Sequence, residues 1–290
     1  MYERHFGLQS RPFALTPDPA FLYCSRQHQM ALTMLEYGLE SQAPLLLLTG
    51  EIGSGKTTLV RRLVRDLGER AAIGLISNTH ARNRSLLGWA LSALEIAPSD
   101  DSDVAAYEAL VDSCVREYGR GRRTLLIVDE AQNLADEVIE ELRLLSNINS
   151  EQDLVLQILL VGQPELRATL AKSSMRQIAQ RVAADCDLRP LDEAETAGYI
   201  AHRLAVAGGR PGLIAPAAID LVYKCTMGVP RLINQLCDYA LVYAFADGLS
   251  SVDAEVVRQV LGDRQQMGAL PVFAEAHAAK HGVAVGIERR

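Results

Sequence analysis

Residues 44–58 read PLLLLTGEIGSGKTT. A run of leucines without polar alternation is the pattern of a strand buried on both faces. The following TTLVRRLVRDLGER places apolar residues at 59, 60, 63, 64 and 67 before Gly68, which reads as a helix with a glycine stop. Between strand and helix, GxxxxGK[ST] is a strong signal for a phosphate cradle. Backbone N–H groups of Gly50, Glu51, Ile52, Gly53, Ser54, Gly55 and Thr58 would converge on phosphate at a helix N-terminus. Lys56 would reach the β and γ phosphates of ATP, and Thr57 would offer its hydroxyl to Mg²⁺.

Outward from this stretch, further buried strands are expected at AIGLIS (72–77), TLLIVD (124–129), VLQILLVG (155–162) and DCDLRP (185–190). Helical periodicity lies between them at 85–96, 104–119, 136–148 and 164–172. Strands alternating with helices call for a parallel sheet covered on both faces, an α/β class with five strands. After Pro190 the strand signals stop, and helices are expected over 192–207, 216–226, 230–245 and 253–261. Asp192 with Glu195 is a capping-box start, and Pro216 and Pro230 suit first-turn positions. The expected organisation is an N-terminal box and helix at 1–43, a nucleotide-binding core at 44–190, an all-helical lid at 191–263 and a tail at 264–290.

The second chemical signal is LLIVDEAQ, residues 125–132. Four apolar residues end in Asp129 and Glu130 at the C-terminal edge of a strand, where open α/β sheets bind ligands. Asp129 suits Mg²⁺, directly or through water, and Glu130 can orient and deprotonate an attacking water. The bland alternative is a strand end carrying two solvated acids. In VGQPEL, Gln163 ends a strand where its amide can reach between that water and the γ-phosphate, or can simply open a helix before Pro164. Phosphoryl transfer gains from an added cation on the γ-phosphate oxygens, and MRQIAQRVAADCDL offers Arg176 and Arg181, which would otherwise be exposed helix arginines. GVPRLINQLCD sets Arg231 at a helix start. Dipole logic disfavours a cation there, so it serves an anion across a cleft unless it is merely solvated.

Composition narrows the classes. A net charge of −7 and a pI near 5.4 weigh against a surface built as a general nucleic-acid trap. Five scattered cysteines without a CxxC pair weigh against disulfide and zinc frameworks. The N-terminus lacks the apolar core of a signal peptide and no run approaches the ~20 apolar residues of a membrane span. The expected location is the cytoplasm, at most peripheral to the inner membrane.

With these motifs placed, the chain resembles the AAA+ ATPases, and more narrowly the ExeA (general secretion pathway protein A) group. The resemblance is carried by FGLQSRPFALTPDPAFLYCSRQHQMALTMLEYGL, LLTGEIGSGKTTL, LLIVDEAQNL, LQILLVGQPEL, the QR of IAQRV, and GVPRLINQLCD, in that order over residues 1–262. It implies a five-stranded AAA+ core with a helical lid, Mg²⁺-dependent ATP hydrolysis and a homo-oligomeric ring or filament. It assigns Gln163 as sensor 1, Arg181 as arginine finger with Arg176 as runner-up, and Arg231 as sensor 2. The N-terminal box, with Tyr23 and His28 near it, falls by the adenine. The short form is similar to ATPases of exosortase and exopolysaccharide loci, which implies a protein partner in envelope assembly or export. The same core is shared with the transposition regulators typified by MuB, TnsC and TniB, which implies the alternative of ATP-switched assembly on DNA. Arg61, Arg62, Arg65, Arg82, Arg84, Arg120, Arg122 and Arg123 would serve that alternative.

Overall fold

The computed structural model describes residues 1–16, 18–77, 85–150 and 153–266. Along the chain run α1 (Tyr2–Phe6), α2 (Arg26–Glu40), β1 (Leu45–Gly50), α3 (Lys56–Leu67), β2 (Ala71–Ile76), α4 (Leu86–Ala93), α5 (Asp103–Gly119) and β3 (Arg123–Val128). Then follow α6 (Asp136–Leu145), β4 (Asn149–Ser150), β5 (Asp153–Leu154), β6 (Leu156–Gly162), α7 (Pro164–Leu170), α8 (Arg176–Ala179) and β7 (Val182–Leu188). The last four helices are α9 (Glu193–Val206), α10 (Pro216–Thr226), α11 (Pro230–Ala246) and α12 (Ala254–Gln266). The chain divides into two compact units, one of residues 26–52 and 59–188, the other of residues 1–25, 53–58 and 189 onward.

The first unit is built on a parallel sheet in the order β2-β3-β6-β1-β7. Its central strands are mostly apolar because both faces are covered, with Thr49, Thr124 and Gln157 as buried polar exceptions. Leu45, Leu47, Leu126, Val128, Ile158 and Leu160 face one core with Leu86, Leu110, Ile139 and Leu142 of α4 to α6. The alternate residues Leu46, Leu48, Leu125, Ile127, Leu159 and Val161 face the other core with Leu35 of α2 and Leu59 and Leu63 of α3. Each such leucine contributes about 1.5–3 kcal/mol by leaving water, so Leu126→Ala, at a fully buried position, should cost about 2–5 kcal/mol. The edge strand β7 differs: it buries Ala184, Cys186 and Leu188 while Ala183, Asp185 and Asp187 face solvent. That alternation explains why its signal is weak and why it starts at Val182 rather than Asp185. The antiparallel pair β4–β5 and the one-turn helix α8 add to the expected elements.

The second unit is helical. Tyr199, Ile200, Val222, Ile233, Leu236 and Val257 form its centre, and Tyr2, Phe6 and Phe13 of the N-terminal segment join the same core. α9 opens with the expected capping box, Asp192 and Glu195 each accepting from the other's backbone N–H. Arg203 is 7% exposed. It donates to Pro12 O at 2.5 Å, Ala14 O at 3.3 Å and the Tyr199 hydroxyl at 2.8 Å, and it lies over the Phe21 ring at 5.0 Å. One buried guanidinium therefore anchors the N-terminal segment to the lid helices, satisfying backbone carbonyls that would otherwise be stranded.

Candidate nucleotide site

In the sheet unit, β1, β3 and β6 are parallel neighbours, so their C-terminal ends share one edge. Gly50 closes β1, Asp129 and Glu130 follow β3, and Gln163 follows β6 at that edge. Asp129 N donates to Ile76 O at 2.8 Å, which extends the ladder one residue and turns the chain. Glu130 then adopts φ 53°, the left-handed region. A residue with a Cβ sits there at a cost of about 1–2 kcal/mol, and such strain concentrates where function requires a particular side-chain direction. Its N–H donates to Asp129 Oδ1 at 2.9 Å.

Glu130 and Gln163 are brought together: Gln163 Nε2 lies 3.4 Å from Glu130 Oε2. Gln132 joins them, a residue that sequence reading passed over. Its Nε2 donates to Glu130 Oε2 at 2.6 Å and its Oε1 accepts from Gln163 N at 3.0 Å. Below this cluster, Arg167 of α7 holds the strands: it donates to Thr49 Oγ1 at 2.5 Å and makes a two-pronged pair with Asp185 at 2.8 and 2.5 Å. Thr49, the residue before Gly50, donates in turn to Asp187 Oδ1 at 2.9 Å.

In the other unit, the loop residues Gly53–Gly55 and the first residues of α3 lie with the lid. Gly53 has φ +82° and Gly55 φ +102°, conformations that glycine adopts without the penalty a Cβ would bring. Ser54 and Lys56 are buried, at 1% and 8% exposure. Arg231, second residue of α11, packs directly on the loop: its N–H donates to Gly53 O at 3.2 Å. A Cβ placed on Gly53 would lie 2.4 Å from Arg231 Cβ. The start of α11 is fixed by Leu191 N donating to Gly228 O at 2.9 Å.

The remaining expected site residues fall elsewhere. Arg181 stands just before β7, at the sheet edge opposite to Asp129 and Gln163, and donates to Ser146 Oγ at 2.8 Å and Asn147 Oδ1 at 2.5 Å. A seven-residue strand spans about 20 Å, so Arg181 is far from its own chain's Glu130. Arg176 is exposed at the start of α8. Tyr23 packs edge-on to Tyr199, ring centroids 6.0 Å apart, and His28 is buried in the other unit. Arg82, Arg84 and the tail beyond Gln266 lie outside the described residues. The arginines of the DNA alternative are largely engaged: Arg62 with Asp66 at 2.5 Å, Arg120 and Arg122 with Glu117, and Arg123 with the carbonyls of Leu39 and Glu40.

Among the described residues no cluster of three or more His, Cys, Asp or Glu side chains could hold a metal, and no helix is long and apolar enough to cross a membrane. Mg²⁺ carried with a nucleotide asks for less. It takes one or two protein oxygens and completes its shell with phosphates and water, a need that a hydroxyl and a carboxylate of the kinds at Thr57 and Asp129 fit chemically.

A family profile described as an AAA domain matches residues 39–170. The chain is 38% identical over 249 residues to general secretion pathway protein A of Aeromonas hydrophila, covering 86% of this chain and 46% of that protein. It thus spans about half the length of that relative. Among solved structures, the ORC2 protein of Aeropyrum pernix superposes with a TM-score of 0.65 at 18% identity, covering 90% of this chain and 75% of that one. Cdc6p of Pyrobaculum aerophilum gives 0.64 at 17%, covering 90% and 74%. At such identities these two likenesses speak to the fold alone.

Proposed function

We propose that this chain, which belongs to the AAA+ P-loop ATPases in the group of general secretion pathway protein A, hydrolyses the β–γ phosphoanhydride bond of ATP to ADP and phosphate. The observation that carries the reading is Glu130: a carboxylate in a strained turn at the end of β3, directed to Gln163. Pure nucleotide holding has no use for that arrangement, whereas water attack on the γ-phosphate needs a base beside a polar group that orients the water.

In this reading the backbone of Gly50–Thr58 cradles the phosphates and the Lys56 ammonium lies along the β and γ oxygens. Thr57 and Asp129 would hold Mg²⁺, which supplies charge neutralisation of the phosphates. Glu130 takes the proton of the attacking water, and Gln163 donates to that water or to a γ-phosphate oxygen. Arg231, against the phosphate loop, reports nucleotide state to the lid. Arg181 acts on a neighbouring subunit's nucleotide, because the length of β7 separates it from its own Glu130; Arg176 is the second candidate for that role. Occupancy by ADPNP and ADP in the structural relative from Aeropyrum pernix is consistent with nucleotide binding by this fold. In the same reading the cycle is coupled to a protein component of an envelope or secretion system, which the resemblance to general secretion pathway protein A supports.

The test is steady-state phosphate release with ATP and Mg²⁺. The parent should turn over, Glu130→Gln should abolish turnover while retaining ATP, and Arg181→Ala should lower turnover with nucleotide affinity nearly intact. Mixing the Glu130→Gln and Arg181→Ala proteins should restore part of the activity if the arginine works in trans. Unchanged activity of Glu130→Gln removes Glu130 from its role.

A further inference from the structure

We infer that Gln132 is a positioning residue for hydrolysis: its side-chain amide is the bridge that fixes the Glu130 carboxylate to the start of α7. The inference rests on the ATPase reading above and deepens it.

Gln163 N is a backbone donor and accepts nothing, so the Gln132 atom 3.0 Å from it must be the carbonyl oxygen. That assignment turns the NH₂ end toward Glu130, where it meets Oε2 at 2.6 Å. One planar amide thus has both ends committed, to groups that follow two neighbouring strands of the sheet. Gln163 Nε2 approaches the same carboxylate oxygen from 3.4 Å, a longer and weaker contact. Of the two amides facing Glu130, that of Gln132 is the closer.

The surrounding backbone is shaped to admit this bridge. Gly162, the last residue of β6, has no side chain, and a Cβ there would stand 3.0 Å from Gln132 Oε1 and 2.9 Å from Leu166 Cδ2. Ala131, between the two acting side chains, is fully buried and anchors the turn that carries both. Gln132 itself is only partly exposed. The consequence is geometric: displacement of Gln163 by a bound γ-phosphate moves the Gln163 N–H, and through Gln132 it moves the base. A base held to within a fraction of an ångström of its working position is what orientation effects in catalysis require.

Gln132→Met keeps length without donor or acceptor. Gln132→Glu keeps an acceptor for Gln163 N–H but cannot donate to Glu130. Both are compared with the parent and with Glu130→Gln by steady-state ATP hydrolysis, by affinity for a fluorescent ATP analogue and by melting temperature. Both Gln132 variants should lose roughly 10- to 100-fold in kcat, with KM and analogue affinity within about threefold and the melting temperature nearly unchanged. That split between kcat and KM is one a merely structural role does not produce. If Gln132→Met does not fold, Gln132→Glu carries the comparison. Parent-like kcat in a folded Gln132 variant, with Glu130→Gln inactive, overturns the bridge alone. A fall in analogue affinity equal to the fall in kcat/KM overturns it as well. A parent that releases no phosphate takes down the ATPase reading and this inference together.

Discussion

Gly53 tests how closely the lid residue and the phosphate loop are fitted. Replacing it with alanine adds a Cβ at a residue with φ +82° and within 2.4 Å of Arg231 Cβ. The left-handed backbone costs a residue with a Cβ about 1–2 kcal/mol. Two carbons touch at about 3.5–4.0 Å, so loop or helix must separate by more than 1 Å, at the typical overpacking cost of about 1–3 kcal/mol. The sum, about 2–5 kcal/mol, corresponds to a loss in ATP affinity of roughly 30-fold or more if the loop absorbs it. Gly121→Ala is the control: its φ is +76° and nothing lies within 4 Å, so it carries strain without overlap and should leave ATP affinity unchanged. The assay is titration with a fluorescent ATP analogue for both variants and for Gly53→Ala combined with Arg231→Gly. Removing the Arg231 Cβ should recover the overlap share and give a coupling of about 1–3 kcal/mol in the double-mutant cycle. An affinity for Gly53→Ala within threefold of the parent, or a coupling of zero, refutes the fitted contact.

Arg203→Ala should destabilise the helical unit by about 3 kcal/mol, since Pro12 O, Ala14 O and the Tyr199 hydroxyl lose a buried donor; melting should fall by about 6–12 °C. Arg203→Lys should not restore it, because an ammonium cannot reproduce the planar fork, and a parent-like melting curve for either variant refutes the anchor. Burial pushes the thiols of Cys114 and Cys186 up to about 11, and that of Cys237 higher still, whereas Cys24 is exposed. Alkylation of the native protein at pH 8 should therefore label Cys24 first, as peptide mass mapping will show, and prior labelling of Cys237 contradicts the packing. Duplex DNA at physiological salt should not bind with ATP, ADP or no nucleotide, because Arg62, Arg120, Arg122 and Arg123 are already engaged; tight binding seen only with ATP would instead support an assembly switch on DNA.

What could be read from sequence follows from how each element is stabilised. β1, β3 and β6 are buried on both faces, so their apolar runs stand out without context. The turns after them carry Asp129, Glu130 and Gln163 into view by position alone. β7 has one buried face and two outward aspartates, and α8 is a single turn, so neither declares its limits. The lid helices were visible through Asp192, Pro216 and Pro230, but the grouping of residues 1–25 with them was not. It depends on Arg203 reaching Pro12 across 191 positions, which no local pattern encodes. Gln132 was hidden for the same reason. As a polar residue in a turn it is unremarked until the fold brings Gln163 N to its carbonyl.

The central claim is that Glu130 is the base for ATP hydrolysis, and the nucleotide retained by the protein tests it most directly. Parent and Glu130→Gln are each incubated with ATP and Mg²⁺, freed of unbound nucleotide by rapid gel filtration, and the bound nucleotide is identified chromatographically. The account predicts ADP on the parent and intact ATP on Glu130→Gln. ADP on both proteins, or intact ATP on both, contradicts it.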